Sequence, residues 1–63
     1  MRDPVIEAYG WDYEDGMIHI TIDQFDTVDQ AEAWLETLDT PCKLYAVGAA
    51  DITKAHQLIW GSR

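Results

Sequence analysis

Between residues 5 and 23 the sequence VIEAYGWDYEDGMIHITID sets Asp15-Gly16 between two segments in which apolar and polar residues alternate. Asp-Gly is a favoured pair for the two-residue turn that joins antiparallel strands, because both turn residues must take positive φ. If Glu14 faces Met17 across that turn, Tyr13 faces Ile18, Trp11 faces Ile20 and Tyr9 faces Ile22. Strand side chains alternate with period two, so these last six share one face. The other face receives Glu14, Asp12, His19, Thr21, Ala8 and Asp23. The partition predicts a hairpin with one apolar and one largely acidic side.

A helix should follow. Thr27 with Gln30 three positions later forms a capping box, and Asp29 lies in the first turn, where the helix dipole favours an anion. Ala31, Trp34, Leu35 and Leu38 recur at helical spacing and make an apolar stripe suited to lying on a sheet. Thr40-Pro41 is expected to end this helix, since proline disfavours helical geometry in the residue before it. CKLYAVG, residues 42 to 48, reads as a third strand, central or next to the hairpin. In the tail, Ile52, Ala55 and Ile59 fit a helix with Asp51 as N-cap and Gly61 as stop, while HQLIW also fits a fourth strand; the helix is preferred.

With 63 residues the chain is expected to form a single domain around one small core. The expected class is α+β: a small antiparallel sheet, made of the hairpin and a third strand, packed on one main helix, with a short C-terminal helix or fourth strand. Trp11, Trp34, Trp60, Tyr9, Tyr13, Tyr45 and Phe25 supply enough aromatic surface for a folded protein rather than a disordered acidic tail. Trp11 and Trp34 are expected in the core, and Trp60 is free for other use.

The charge is lopsided. Eleven of the twelve acids fall in residues 1 to 39, opposed there by Arg2 alone, whereas the remaining residues carry Lys43, Lys54 and Arg63 against Asp51. The net charge is −8, and the acidity belongs to the hairpin and the first helix. So few basic residues cannot hold a nucleic acid backbone, and the charge would repel an anionic lipid surface. The N-terminus lacks the basic region and apolar run of a secretory signal, no stretch is apolar over the length of a membrane span, and the single Cys42 allows no internal disulfide. A cytoplasmic setting is expected.

Signatures of chemistry are missing. His19, His56 and Cys42 have no close ligand spacing for zinc, and Cys42 is expected to be a small buried residue. Asp23, Asp26 and Asp29 do not follow the alternate-position ligand pattern of a calcium loop. No carboxylate pair is marked as catalytic, no histidine lies near Cys42 in sequence, and Gly10, Gly16, Gly48 and Gly61 are too scattered for a phosphate-cradling loop. The expectation is a protein that is not an enzyme and uses no cofactor or metal.

What remains is the acidic surface. Like charges on a small domain reduce stability that is already limited, so a solubilising role has a cost. Alternate strand residues stand about 6.6 Å apart and helical neighbours about 5 to 6 Å apart. Phosphates along one nucleic acid strand recur about every 3.4 Å of axial rise. A rigid hairpin and helix can therefore display carboxylates roughly as DNA displays phosphates, with Met17 or a tryptophan as an apolar anchor.

In length, acidity, lack of catalytic motifs and expected α+β fold, the chain resembles the small proteins that bacteriophages use to disarm host defence, including anti-CRISPR proteins and other DNA mimics. The resemblance implies an inhibitor that occupies the nucleic-acid-binding groove of a nuclease or CRISPR surveillance complex. Its partner would be a basic DNA- or RNA-binding complex, met by a monomer or weak dimer. The carboxylates nominated for that contact are Asp12, Glu14, Asp15, Asp23, Asp29, Glu32 and Glu36. The alternative is a non-mimic interaction module, either an antitoxin-like partner of a basic protein or a small subunit that oligomerises through an apolar sheet face.

Overall fold

The computed structural model describes residues 5–61; Arg2, Asp3 and Arg63 of the charge count lie outside them. The elements run β1 (Ile6–Glu14), β2 (Met17–Phe25), α1 (Val28–Glu36), β3 (Cys42–Val47) and α2 (Gly48–Trp60). The strands form one antiparallel sheet in the order β2-β1-β3, so the fold is α+β.

The hairpin has the register expected from its turn: Glu14 faces Met17, Trp11 faces Ile20 and Tyr9 faces Ile22, continuing to Ile6 opposite Phe25. Asp15 at φ 56° and Gly16 at φ 77° both take the left-handed backbone that a tight hairpin turn needs. β3 pairs with the other edge of β1, from Ile6 opposite Val47 to Trp11 opposite Cys42. β1 is thus the central strand, and the hairpin continues past the end of β3.

Each helix takes its own face of this sheet. On the face of the even-numbered β1 residues, Ile6 and Ala8 pack against Ala31 and Leu35 of α1, with Phe25, Val28, Trp34, Leu38 and Val47 around them. On the odd face, Tyr9 and Ala46 pack against Ala55 and Ile59 of α2, with Trp11, Ile18, Ile20, Leu44 and Ile52 around them. The core is therefore two thin clusters separated by the sheet, rather than one. Ala8, Ala31, Ala46 and Ala55 are all buried, and small residues at these positions let helices approach the strands closely. Trp34 is half-buried, its ring 5.5 Å from that of Phe25, and Trp11 is half-buried on the opposite face.

The end of α1 and the start of α2 need correction. The Thr27 hydroxyl accepts the Gln30 N–H at 3.2 Å, as a capping residue should, while Gln30 Oε1 reaches the Asp26 N–H at 3.2 Å, one residue before the cap. α1 stops at Glu36, ahead of Thr40-Pro41, because the Thr37 N–H and hydroxyl both donate to the Trp34 carbonyl, at 2.9 and 2.6 Å. That tightened turn closes the helix, and Leu38 reaches the core from the following loop. The tail is a helix, but it starts three residues before Asp51. Gly48, at φ 79°, turns the chain off β3 while its N–H donates to the Val5 carbonyl at 3.2 Å. Asp51 therefore lies in the first turn, with no side-chain cap, and Gly61 is the stop.

Candidate functional site

Strand parity decides where most of the nominated acids point. Asp12 and Glu14 share the even face of β1 with Ile6 and Ala8, and Asp23 stands opposite Ala8 on β2. That face is the one α1 covers, but α1 reaches only the half nearest Ile6. Asp12 and Glu14 stay on the uncovered half beside His19 and Met17, and Asp15 sits at the turn. Asp12 is half-buried, whereas Glu14, Asp15 and Asp23 are exposed.

On α1, burial of Ala31 and Leu35 sends Asp29, Glu32 and Glu36 outward, and all three are exposed. Glu32 and Glu36 line a shallow groove with Leu35, Lys43, Leu44 and Tyr45. Lys43 therefore interrupts the acidic surface on its β3 side. Six of the seven nominated acids lie on the α1 side of the sheet and the seventh caps the hairpin tip. The Asp23 carboxylate also accepts the Gln24 N–H at 2.8 Å.

One carboxylate outside the nominated set has a defined role. Glu7, on the α2 face, accepts the Tyr9 hydroxyl at 2.6 Å and the Gln24 amide at 2.9 Å. These hydrogen bonds, Tyr9 first and then Gln24, hold its carboxyl below the usual range, with His56 adding a weaker attraction. Burial of Tyr9, and then its bond to Glu7, push the phenol well above its ordinary value. The Tyr9 ring also meets the His56 ring edge-on at 5.5 Å. The signal was present in the hairpin register, which puts Gln24 opposite Glu7 and Tyr9 two residues along the same face.

Cys42, expected to be buried, is exposed. It opens β3 and lines a shallow hollow with Trp11, Pro41 and, from the end of α2, Leu58 and Ile59. Among the described residues no group of three or more histidine, cysteine or carboxylate side chains is gathered to hold a metal ion, and no helix is long and apolar enough to cross a membrane. Met17 at the hairpin tip is 63% exposed and Trp60 56%. Comparison of the chain with protein-family models, curated proteins and solved structures finds no match.

Proposed function

We propose that this chain is an acidic protein-binding inhibitor that mimics DNA and blocks the nucleic-acid-binding groove of a host defence complex such as a CRISPR surveillance complex. The observation that carries the proposal is the grouping of Asp12, Glu14, Asp23, Asp29, Glu32 and Glu36 on the α1 side, with Asp15 at the tip. Asp12 and Glu14 are fixed by a paired strand at about 6.6 Å, and Glu32 and Glu36 by a helix turn at about 6 Å. The backbone beneath these carboxylates is already ordered, so its conformational entropy is not lost again on meeting a basic groove. Long-range attraction speeds the encounter, and Met17, exposed among the tip acids, offers an apolar anchor.

The test is capture of proteins from a host-cell lysate on the tagged chain at low and at high salt, with added DNA as competitor. The expected result is a basic nucleic-acid-binding complex that is retained at low salt, released by salt and displaced by DNA. Replacing Glu32 and Glu36 with Lys, or Asp12 and Glu14 with Lys, should abolish the capture with the fold intact. Capture that resists both salt and DNA would overturn mimicry.

A further inference from the structure

The sheet ends on one side in an open edge. Among the described residues β2 pairs with β1 alone, while β1 holds β3 on its other side. Which backbone groups of β2 are free follows from the turn. A two-residue turn bonds the residues that flank it, so Glu14 and Met17 form a hydrogen-bonded pair, and such pairs recur at every second position of an antiparallel ladder. His19, Thr21 and Asp23 therefore bond to β1, whereas Ile18, Ile20, Ile22 and Gln24 aim their N–H and C=O groups outward. The Gln24 N–H accordingly donates to the Asp23 carboxylate, at 2.8 Å, rather than to β1. That bond occupies the edge at Gln24 and leaves Ile18, Ile20 and Ile22 open.

Sheet edges are ordinarily blunted, and β2 lacks the usual devices. It runs nine residues, Met17–Phe25, without proline, glycine or lysine, and its register against β1 is continuous, so no bulge twists it away. β3, at the other edge, is six residues long and carries Lys43. The two faces beside the open edge differ in chemistry. On the α2 side stand Ile18, Ile20 and Ile22, the last 45% exposed. On the α1 side stand His19, Thr21 and Asp23, with Asp12 and Glu14 one strand further in. Lys43 and Lys54 are remote from them, since Lys54 lines a groove with Leu44, Tyr45 and Ala46 of β3.

We propose that the β2 edge is a strand-addition site for an extended segment of a basic protein, in which lysine or arginine alternates with apolar residues. The free N–H and C=O groups select an extended backbone, because a strand meets them at every second residue. Alternation then decides the side chains. Those on one face lie beside Ile20 and Ile22, and those on the other beside Asp23, with Asp12 and Glu14 about 10 Å away across β2. Apolar residues suit the first face and cations the second. A second copy of β2 is disfavoured, since edge-to-edge pairing brings together the acidic sides of two chains of net charge −8. The site does not rest on mimicry, because it uses backbone groups that a mimic does not need. Loss of DNA displacement in the capture experiment would leave it standing, and failure of strand addition would leave mimicry standing.

The experiment is a titration of the whole isotope-labelled chain with a short blocked peptide in which lysine alternates with valine, followed by NMR and amide hydrogen exchange. The expected result is exchange slowed about tenfold or more at the Ile18, Ile20 and Ile22 amides, with little change at Thr21 and Asp23, which are bonded to β1 already. Two further peptides carry N-methyl groups on the lysines or on the valines. Each keeps the charge but loses the hydrogen bonds of one edge, so at least one should bind about tenfold more weakly or worse. A peptide with glutamate in place of lysine should not bind. Ile22→Pro removes an N–H that faces solvent, so the variant should keep the wild-type circular dichroism and lose the peptide. No binding of the lysine peptide, binding without the alternating protection, or equal binding of both methylated peptides overturns the proposal. Those three outcomes are read on the wild-type chain and stand whether or not Ile22→Pro folds.

Discussion

The Tyr9 hydroxyl donates to the Glu7 carboxylate at 2.6 Å, joining a fully buried ring to an acid on the α2 face of the sheet. Tyr9→Phe removes that bond and little else, and should lower stability by about 1 kcal/mol. It also removes the largest influence holding the Glu7 carboxyl down. Glu7, followed by NMR, should then titrate closer to an ordinary glutamate; an unchanged titration would mean that the Tyr9 bond does not hold it down.

The same pair shapes both ends of the pH profile. Glu7 has a lowered folded pKa, so its contribution is present above the unfolded value of about 4.5 and is lost as pH falls through the folded one. Tyr9 has a raised folded pKa, so its contribution is present below about 10 and is lost as pH climbs toward the folded value. The stability gap between wild type and Glu7→Gln should be widest near neutrality and close as pH falls below the unfolded value of about 4.5. Tyr9→Phe should lose the alkaline dependence above about pH 10. Chemical denaturation across the pH range reads both limbs, and parallel curves for wild type and variants would rule the pair out as their source.

Trp34 is half-buried rather than enclosed, packed on Phe25 over the Ala8 cluster. Trp34→Ala should therefore cost about 2 to 3 kcal/mol, at or below the lower end for a large aromatic in a core. In so small a domain that is enough to populate the unfolded state, and thermal melting should show a markedly earlier transition. A variant that melts normally would assign Trp34 to a binding surface.

The hairpin was legible because its turn fixes parity: once Glu14 faces Met17, every acid on β1 and β2 is assigned a face. What parity does not tell is which helix lies on which face, and that decides that Asp12 and Glu14 share a side with Glu32 and Glu36. The end of α1 was misplaced for a local reason and the start of α2 for a distant one. Thr37 bonds back to the Trp34 carbonyl before the proline is reached, and Gly48 starts α2 through a bond to Val5, forty-three residues earlier. The exposure of Cys42 was missed because it depends on how the start of β3 sits against the end of α2, two elements distant in sequence.

Gly48 gives a separate check on that start. A Cβ built there would meet nothing within 4 Å, so its φ of 79° is the only obstacle to a side chain. Gly48→Ala should cost about 1 to 2 kcal/mol through backbone strain alone, and Gly48→Asn less. Equal stability of all three by denaturant titration would show that α2 can begin without the left-handed residue.

The tip acids should be a burden on the isolated chain. Asp12, Glu14 and Asp15 sit within four positions of one another on a projecting hairpin, in a chain of net charge −8. Replacing Asp12 with Asn and Glu14 with Gln removes repulsion while keeping shape, so the variant should melt at a higher temperature than wild type at low salt. The advantage should shrink as salt screens the charges, because the Debye length falls to about 3 Å at 1 M. If the proposed function holds, the same variant should bind its basic partner more weakly, so that stability and capture move in opposite directions. A variant that gains stability and keeps full capture would confine the contact to Asp23 and the α1 acids.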